Sequence, residues 1–190
     1  MKKWIVLFSV IVTIICLAWV MYVKLPLSIS VDIELPGVKY QLGSEAVTEP
    51  ATVVIQGKLY TSLNGERVFN GVVQFIGEQI PVPQDQRKVE IRFSKDGWGS
   101  IVYPYFIYDE SGAVKDSNIY QSHSIFTNKD FSQVTLLLTT PDQQSDPETP
   151  QSIWNSENGM MISAPASSRE EALALSNKLM HEFLKGEALH

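Results

Sequence analysis

Three rhythms of apolar residues succeed one another along this chain, and each predicts a different element. The first is continuous. Residues 4–23, WIVLFSVIVTIICLAWVMYV, carry no charge, proline or glycine, and only Ser9 and Thr13 interrupt the run with aliphatic hydroxyls. A helix of that length rises about 30 Å, the thickness of a bilayer's hydrocarbon core, and satisfies its own backbone polar groups there. A transmembrane helix in contact with membrane lipid is therefore expected over residues 4–23. Lys2 and Lys3 precede the run, whereas Lys24, Asp32 and Glu34 follow it. The charge difference predicts a single-pass cell-membrane protein, with residues 1–3 a cytoplasmic tail and the C-terminal part extracytoplasmic. A cleaved signal peptide fits less well, because the run outlasts a secretory apolar core and Ala18-Trp19-Val20-Met21-Tyr22 offers no small-x-small site. Cys16 follows the branched Ile15, not the small residue of a lipoprotein signal, and reads as a membrane-buried apolar residue.

The second rhythm has period two. Leu27, Ile29, Val31, Ile33 and Leu35 alternate with Ser28, Ser30, Asp32 and Glu34 between Pro26 and Pro36, the pattern of a half-buried strand. Alternation resumes over Thr52–Leu63 and Arg67–Gly77 on either side of Asn64-Gly65, which predicts a hairpin with positive φ at its tip. Lys88–Phe93, Trp98–Asp109 with a break near Pro104, Asn118–Phe126, Ser132–Thr140 and Gly159–Pro165 continue the series, punctuated by Asp96-Gly97 and Glu110–Gly112. About eight short strands at turn-spaced intervals predict a mainly β domain over residues 25–165, an antiparallel β-sandwich or open barrel. Residues 141–152, made of Pro, Gln, acids and small polar residues, are expected to form a mobile loop within it.

The third rhythm is helical. Ala172, Leu175, Leu179 and Phe183 recur at helical spacing from Arg169 to about Lys185, and Ser168 with Glu171 forms a capping box. Gly186 is the expected stop. A C-terminal amphipathic helix within residues 166–186 should pack its stripe on the β domain.

Charge narrows the partners. Lys2, Lys3 and Lys24 are three of the 15 basic residues, and none of the 21 acidic residues precedes Leu25. The remainder therefore sets 12 basic against 21 acidic groups, a formal charge of −9, which argues against nucleic acid. It contains no cysteine, so stability outside the membrane rests on burial and backbone pairing. Three histidines, at 123, 181 and 190, and no cysteine pair give no ligand set for a structural metal, and no cofactor is expected.

No GxSxG, HExxH, SxxK or phosphate-loop motif occurs, so no catalytic residue is predicted. His123 lies between serines that point to the opposite face of its strand, and His181 complements a helix C-terminus. The acids Asp109 with Glu110, or Asp85 with Glu90, are the pairs on which an envelope hydrolase would depend. The richer signal is aromatic. Trp98, Tyr103, Tyr105, Phe106 and Tyr108 crowd one strand, and alternation places Tyr103 and Tyr105 on one face with Trp98, Phe106 and Tyr108 on the other. One face must be core. The candidate binding surface is therefore drawn from Trp98, Tyr103, Tyr105 and Tyr108.

The order of VxIxGKLYxSL, VFNGxVxFIG, SIFTNKDFSQVTLLL and ISAPASSREEALALSNKLM, over about Val53 to Met180, resembles that of uncharacterised small single-pass exported β-domain proteins of Gram-positive bacteria. The resemblance implies topology and an extracytoplasmic β domain. The functional expectation is a membrane-anchored binding or accessory module that meets a protein at the cell envelope or senses there. A cell-wall glycan-binding module and a hydrolase using loop carboxylates are the alternatives.

Overall fold

A computed structural model of the chain describes residues 3, 4, 8, 10–16, 19, 27–62, 64–78, 80–141 and 152–190. Much of the expected transmembrane segment, residues 4–23, and nearly all of the expected mobile loop, residues 141–152, lie outside the described residues. Residues 4, 8, 10–16 and 19 of the former are described, and all are helical and exposed. Among the described residues no helix is long and apolar enough to cross a membrane.

The alternating segments form strands. In chain order these are β1 (Leu27–Gln41), β2 (Thr48–Thr61), β3 (Arg67–Ile76), β4 (Lys88–Phe93), β5 (Trp98–Tyr108), β6 (Val114–Thr127), β7 (Val134–Leu138), β8 (Thr140–Pro141), β9 (Ser152–Ile153) and β10 (Met160–Ala164). A helix, α1 (Arg169–Met180), follows them, and a single 3-10 turn at Gln84–Gln86 precedes β4. Eight strands make one sheet in the order β4-β3-β2-β1-β10-β7-β6-β5, while β8 pairs with β9; every pairing is antiparallel. The two edge strands are sequence neighbours. Ser94 N–H donates to Trp98 O at 2.8 Å across the β4–β5 turn, and a Cβ built on Gly99 would stand 2.5 Å from Ile91 Cγ2. The sheet thus curls until its edges lie side by side. Of the two expected architectures, this single curled sheet agrees with the open barrel.

Two prolines expected to bracket or break strands lie inside them. Pro36 O accepts from Ala166 N–H at 3.1 Å, so its nitrogen also faces the side where β10 has not yet begun to pair. Pro104 sits two residues from Phe106, whose N–H and C=O both turn away from β6 to the side-chain amide of Gln86, at 2.7 and 3.0 Å. Pro104 shares that outward orientation. Neither site calls on a ladder donor that proline lacks.

Burial follows the alternation. Val53, Ile55, Phe69, Ile91, Ile125 and Leu136 line the inside of the curl. β1 changes character along its length. Asp32 and Glu34 leave its outer face to solvent, whereas Val38 and Tyr40 on the same parity are buried because α1 covers them together with Phe126, Leu137 and Met161. β7, sandwiched between the interior and the helix, is buried at all five positions.

A hydroxyl cluster fixes α1 on the sheet. Ser176 Oγ lies 2.6 Å from Tyr40 Oη, 2.7 Å from Ser163 Oγ and 3.2 Å from Thr135 Oγ1, and donates to Ala172 O at 3.1 Å. All four side chains are fully buried, so the network sets register and orientation where apolar packing alone leaves freedom to slide. Ala172 and Leu175 are buried as the helical rhythm requires, but the helix ends at Met180. Phe183 belongs to the following turns, where its ring meets Phe126 edge-on at 5.1 Å while staying half exposed. Ser168 caps α1 by accepting from Glu171 N–H at 3.3 Å, and the Glu171 carboxylate reaches back one residue further than expected, to Ser167 N–H and Oγ.

Candidate functional site

The β5–β6 hairpin outgrows the sheet. β7 pairs with β6 from His123 to Thr127, whereas Val114 to Gln121 pair with β5 alone. The far half is therefore a two-stranded ribbon. Residues opposite one another on an antiparallel pair share a face, so the register Pro104↔Ile119, Phe106↔Ser117 and Tyr108↔Val114 collects one apolar outer face. Phe106 is 47% exposed, Tyr108 52%, Val114 57% and Ile119 69%. The rings of Phe106 and Tyr108 stand 6.4 Å apart. A shallow groove of about 530 Å³ runs along Pro104, Tyr105, Phe106, Ser117, Asn118 and Ile119.

The predicted candidates divide across this geometry. Tyr108 belongs to the exposed face. Trp98 has the same outward parity and is partly exposed, but it lies at the opposite end of β5, paired with Phe126. Tyr105 is half-buried against the interior cluster. Tyr103 is fully buried, stacked on Tyr120 at 6.4 Å with its hydroxyl donating to Val73 O at 3.2 Å. It is a core residue and presents nothing to a ligand. Alternation places Tyr103 and Tyr105 on one face, and that face is the inward one.

The ribbon's outer edge is blunted. Because Phe106 turns its polar groups away from β6, Ser117 and Ile119 opposite it and Pro104 turn theirs toward the open edge. Asp116 Oδ1 accepts from Ser117 N–H and Asn118 Oδ1 from Ile119 N–H, each at 2.8 Å. Two donors that would pair with an added strand are occupied by local side chains.

A second feature lies at the other end of the sheet. The turn at Gly65, the start of β3, the β4–β5 turn, the loop at 127–133 and the end of α1 surround an open groove of about 770 Å³. Arg67, Lys95, Lys129, Lys178 and His181 line it, with Asp96 and Glu182 as counter-charges. Arg67 is half-buried, its guanidinium 5.1 Å from the Phe93 ring centre and 5.7 Å from that of Phe131, and it donates to Asn128 O at 2.9 Å and Lys129 O at 3.3 Å. Burial draws its pKa down and nearby Asp130 pulls it back up. Phe131 holds φ at 62°, a left-handed backbone that bulky residues rarely adopt. Its ring, 5.4 Å from both Phe69 and Phe93, is buried completely and keeps the loop there.

The remaining titratable candidates have local roles. Asp109 accepts from Ser111 Oγ and from the N–H groups of Ser111 and Ala113, and these bonds, led by the hydroxyl, hold its carboxyl below the usual range. Glu90 pairs with Arg92 at 2.7 Å on the surface. His123 is buried inside the sheet with its ring 5.4 Å from Phe75. Sequence reasoning missed Val114, because VKDS (Val114–Ser117) is too polar to announce a strand, and it passed over Ile119 although a strand is expected there. The groove's cations were also missed, being scattered from residue 67 to residue 181. Compared with known protein families, with curated proteins and with solved structures, the chain finds no match.

Proposed function

We propose that this chain is a single-pass membrane protein, spanning the bilayer with residues 4–23, whose extracytoplasmic β domain is a binding or accessory module for a protein of the cell envelope. One observation carries the binding role: the outer face of the β5–β6 ribbon, where Phe106, Tyr108, Val114 and Ile119 lie open to solvent. Contiguous exposed apolar surface with aromatic anchors is the commonest physical signature of a recognition site. Branched aliphatic side chains beside the rings favour a protein over a glycan, whose hydroxyls would find few partners on Val114 and Ile119. The blunted edge favours a partner that covers the face over one that adds a strand. A hydrolase built on loop carboxylates has less support, since Asp109 is engaged within its own turn by Ser111 and Ala113 and Glu90 is paired with Arg92.

In-cell crosslinking of the tagged full-length protein, beside a variant carrying Phe106→Ser, Tyr108→Ser and Ile119→Ser, tests the reading. All three positions are exposed, so each substitution should move stability by no more than about 0.5 kcal/mol. A specific envelope protein recovered with the parent and lost with the variant is the expected result. Equal recovery with a folded variant would remove the ribbon from consideration.

A further inference from the structure

The basic groove lies at the end of the domain where the chain arrives from residues 4–23. Leu27 pairs with Thr61, Thr61 with Arg67, and Arg67 with Phe93, so β1 begins alongside the groove's wall. Lys24, Leu25 and Pro26 alone separate Val23 from Leu27, a distance of at most roughly 14 Å at full extension. If residues 4–23 span the bilayer, the groove opens within reach of lipid headgroups.

Its charge is out of keeping with the rest of the domain. Arg67, Lys95, Lys129 and Lys178 are four of the 12 basic residues in a part of the chain whose formal charge is −9. Among the described residues the ion pairs are Lys39–Glu78 and Arg92–Glu90, and none of these four takes part. Lys178 Nζ donates to the neutral Gln133 Oε1 at 3.0 Å. The groove is also built. Arg67 Nε is buried without a hydrogen-bond partner among the described residues, while its Nη2 pins the backbone of Asn128 and Lys129. The loop carrying Lys129 is braced further by Asn128 Oδ1 accepting from Gln133 N–H at 3.1 Å and Nδ2 donating to Ser132 Oγ at 2.8 Å. Trp98, partly exposed beside the β4–β5 turn, adds a ring of the kind that favours the membrane interface.

We infer that this groove binds the phosphate of an anionic phospholipid headgroup and so holds the domain upright with its β2–β3 turn against the membrane. The assignment rests on the membrane-tethered reading above. Four cations against Asp96, Glu182 and nearby Asp130 leave the groove net basic on an otherwise acidic domain, and an anionic surface attracts that side first.

The full-length protein is placed in nanodiscs of phosphatidylcholine, with or without about one third phosphatidylglycerol, and its lysines are labelled with an amine reagent and read by mass spectrometry. A third arm adds inorganic phosphate to the phosphatidylcholine discs. Labelling of Lys95, Lys129 and Lys178 should fall severalfold in the anionic discs alone, with Lys58 and Lys115 unchanged. Substituting Lys95→Gln and Lys129→Gln together, at exposed positions, should abolish the protection of Lys178, since each lysine near an anionic surface is worth about fivefold in binding. Protection by inorganic phosphate to the same degree would overturn the lipid assignment in favour of a free anion. Equal labelling in every arm, with the protein still co-eluting with the discs, would overturn the site while sparing the tether. Failure to co-elute would bring down the tether and the headgroup assignment with it.

Discussion

Tyr103 couples the interior of the sheet to pH. Burial pushes its phenol up to about 12 from 10.0, with Arg87 opposing and Tyr120 reinforcing, and Tyr40 beneath α1 is raised by burial as well. A phenol whose folded pKa exceeds its unfolded value contributes stability fully below pH 10.0 and loses it as the pH climbs through about 12. Two units correspond to about 2–3 kcal/mol. Urea midpoints should therefore stay level into mildly alkaline solution and then fall. Tyr103→Phe should shallow that fall while costing about 1 kcal/mol at neutral pH through the lost bond to Val73 O. An unchanged alkaline slope would show that the phenol titrates freely. Glu171 works in the opposite sense. Its carboxyl is held low, chiefly by Ser167 Oγ, so the support it gives the start of α1 is lost as acid protonates it.

Between β2 and β3 the backbone is packed as tightly as side chains are elsewhere. Gly57 and Gly71 face each other across the ladder, and a Cβ on Gly71 would lie 2.2 Å from Gln56 O and 2.6 Å from Phe69 Cζ. The gap admits the Phe69 ring over the strand pair. Gly71→Ala should cost about 1–3 kcal/mol by overpacking, measured by denaturant unfolding; an unaffected midpoint would mean that the ring has room to shift. At this scale the sequence was highly legible wherever alternation met a turn residue. Gly65 takes the positive φ expected at its tip, Gly97 and Gly112 take positive φ in the other two expected turns, and β3 and β4 start where their apolar rhythm starts. Legibility failed where tertiary context supplied what the local pattern lacked. Pro36 and Pro104 run through strands because their missing donors face away from a partner. Val114 to Ser117 are strand because β5 offers a ladder, and β1 continues through Val38 and Tyr40 because α1 and β10 cover them. The candidate surface was half legible: period two separated the faces of β5 correctly, but no local pattern reveals that α1 packs over Val38, Tyr40, Phe126 and Leu137 and not over Phe106, Tyr108 and Ile119.

For the whole molecule, the proposed tether and the β domain make separable predictions. The full-length protein should stay with the membrane through alkaline carbonate and high salt and leave it only with detergent, because a spanning helix binds far more tightly than any surface contact. Release by carbonate would contradict a spanning segment. The sheet's connectivity adds a constraint in time. β1 to β4 pair with their neighbours in sequence, as do β5 to β7, but the two groups are stitched together through β10, which places Ser163 opposite Val38 and Thr135. Pairings so remote along the chain form slowly. A ribosome building this protein from its N-terminus must add Met160–Ala164 before the two halves can join, and α1 after that. Until then Val38 and Tyr40 lack the neighbours that bury them in the finished fold, and the nascent chain carries that apolar surface open for most of its synthesis.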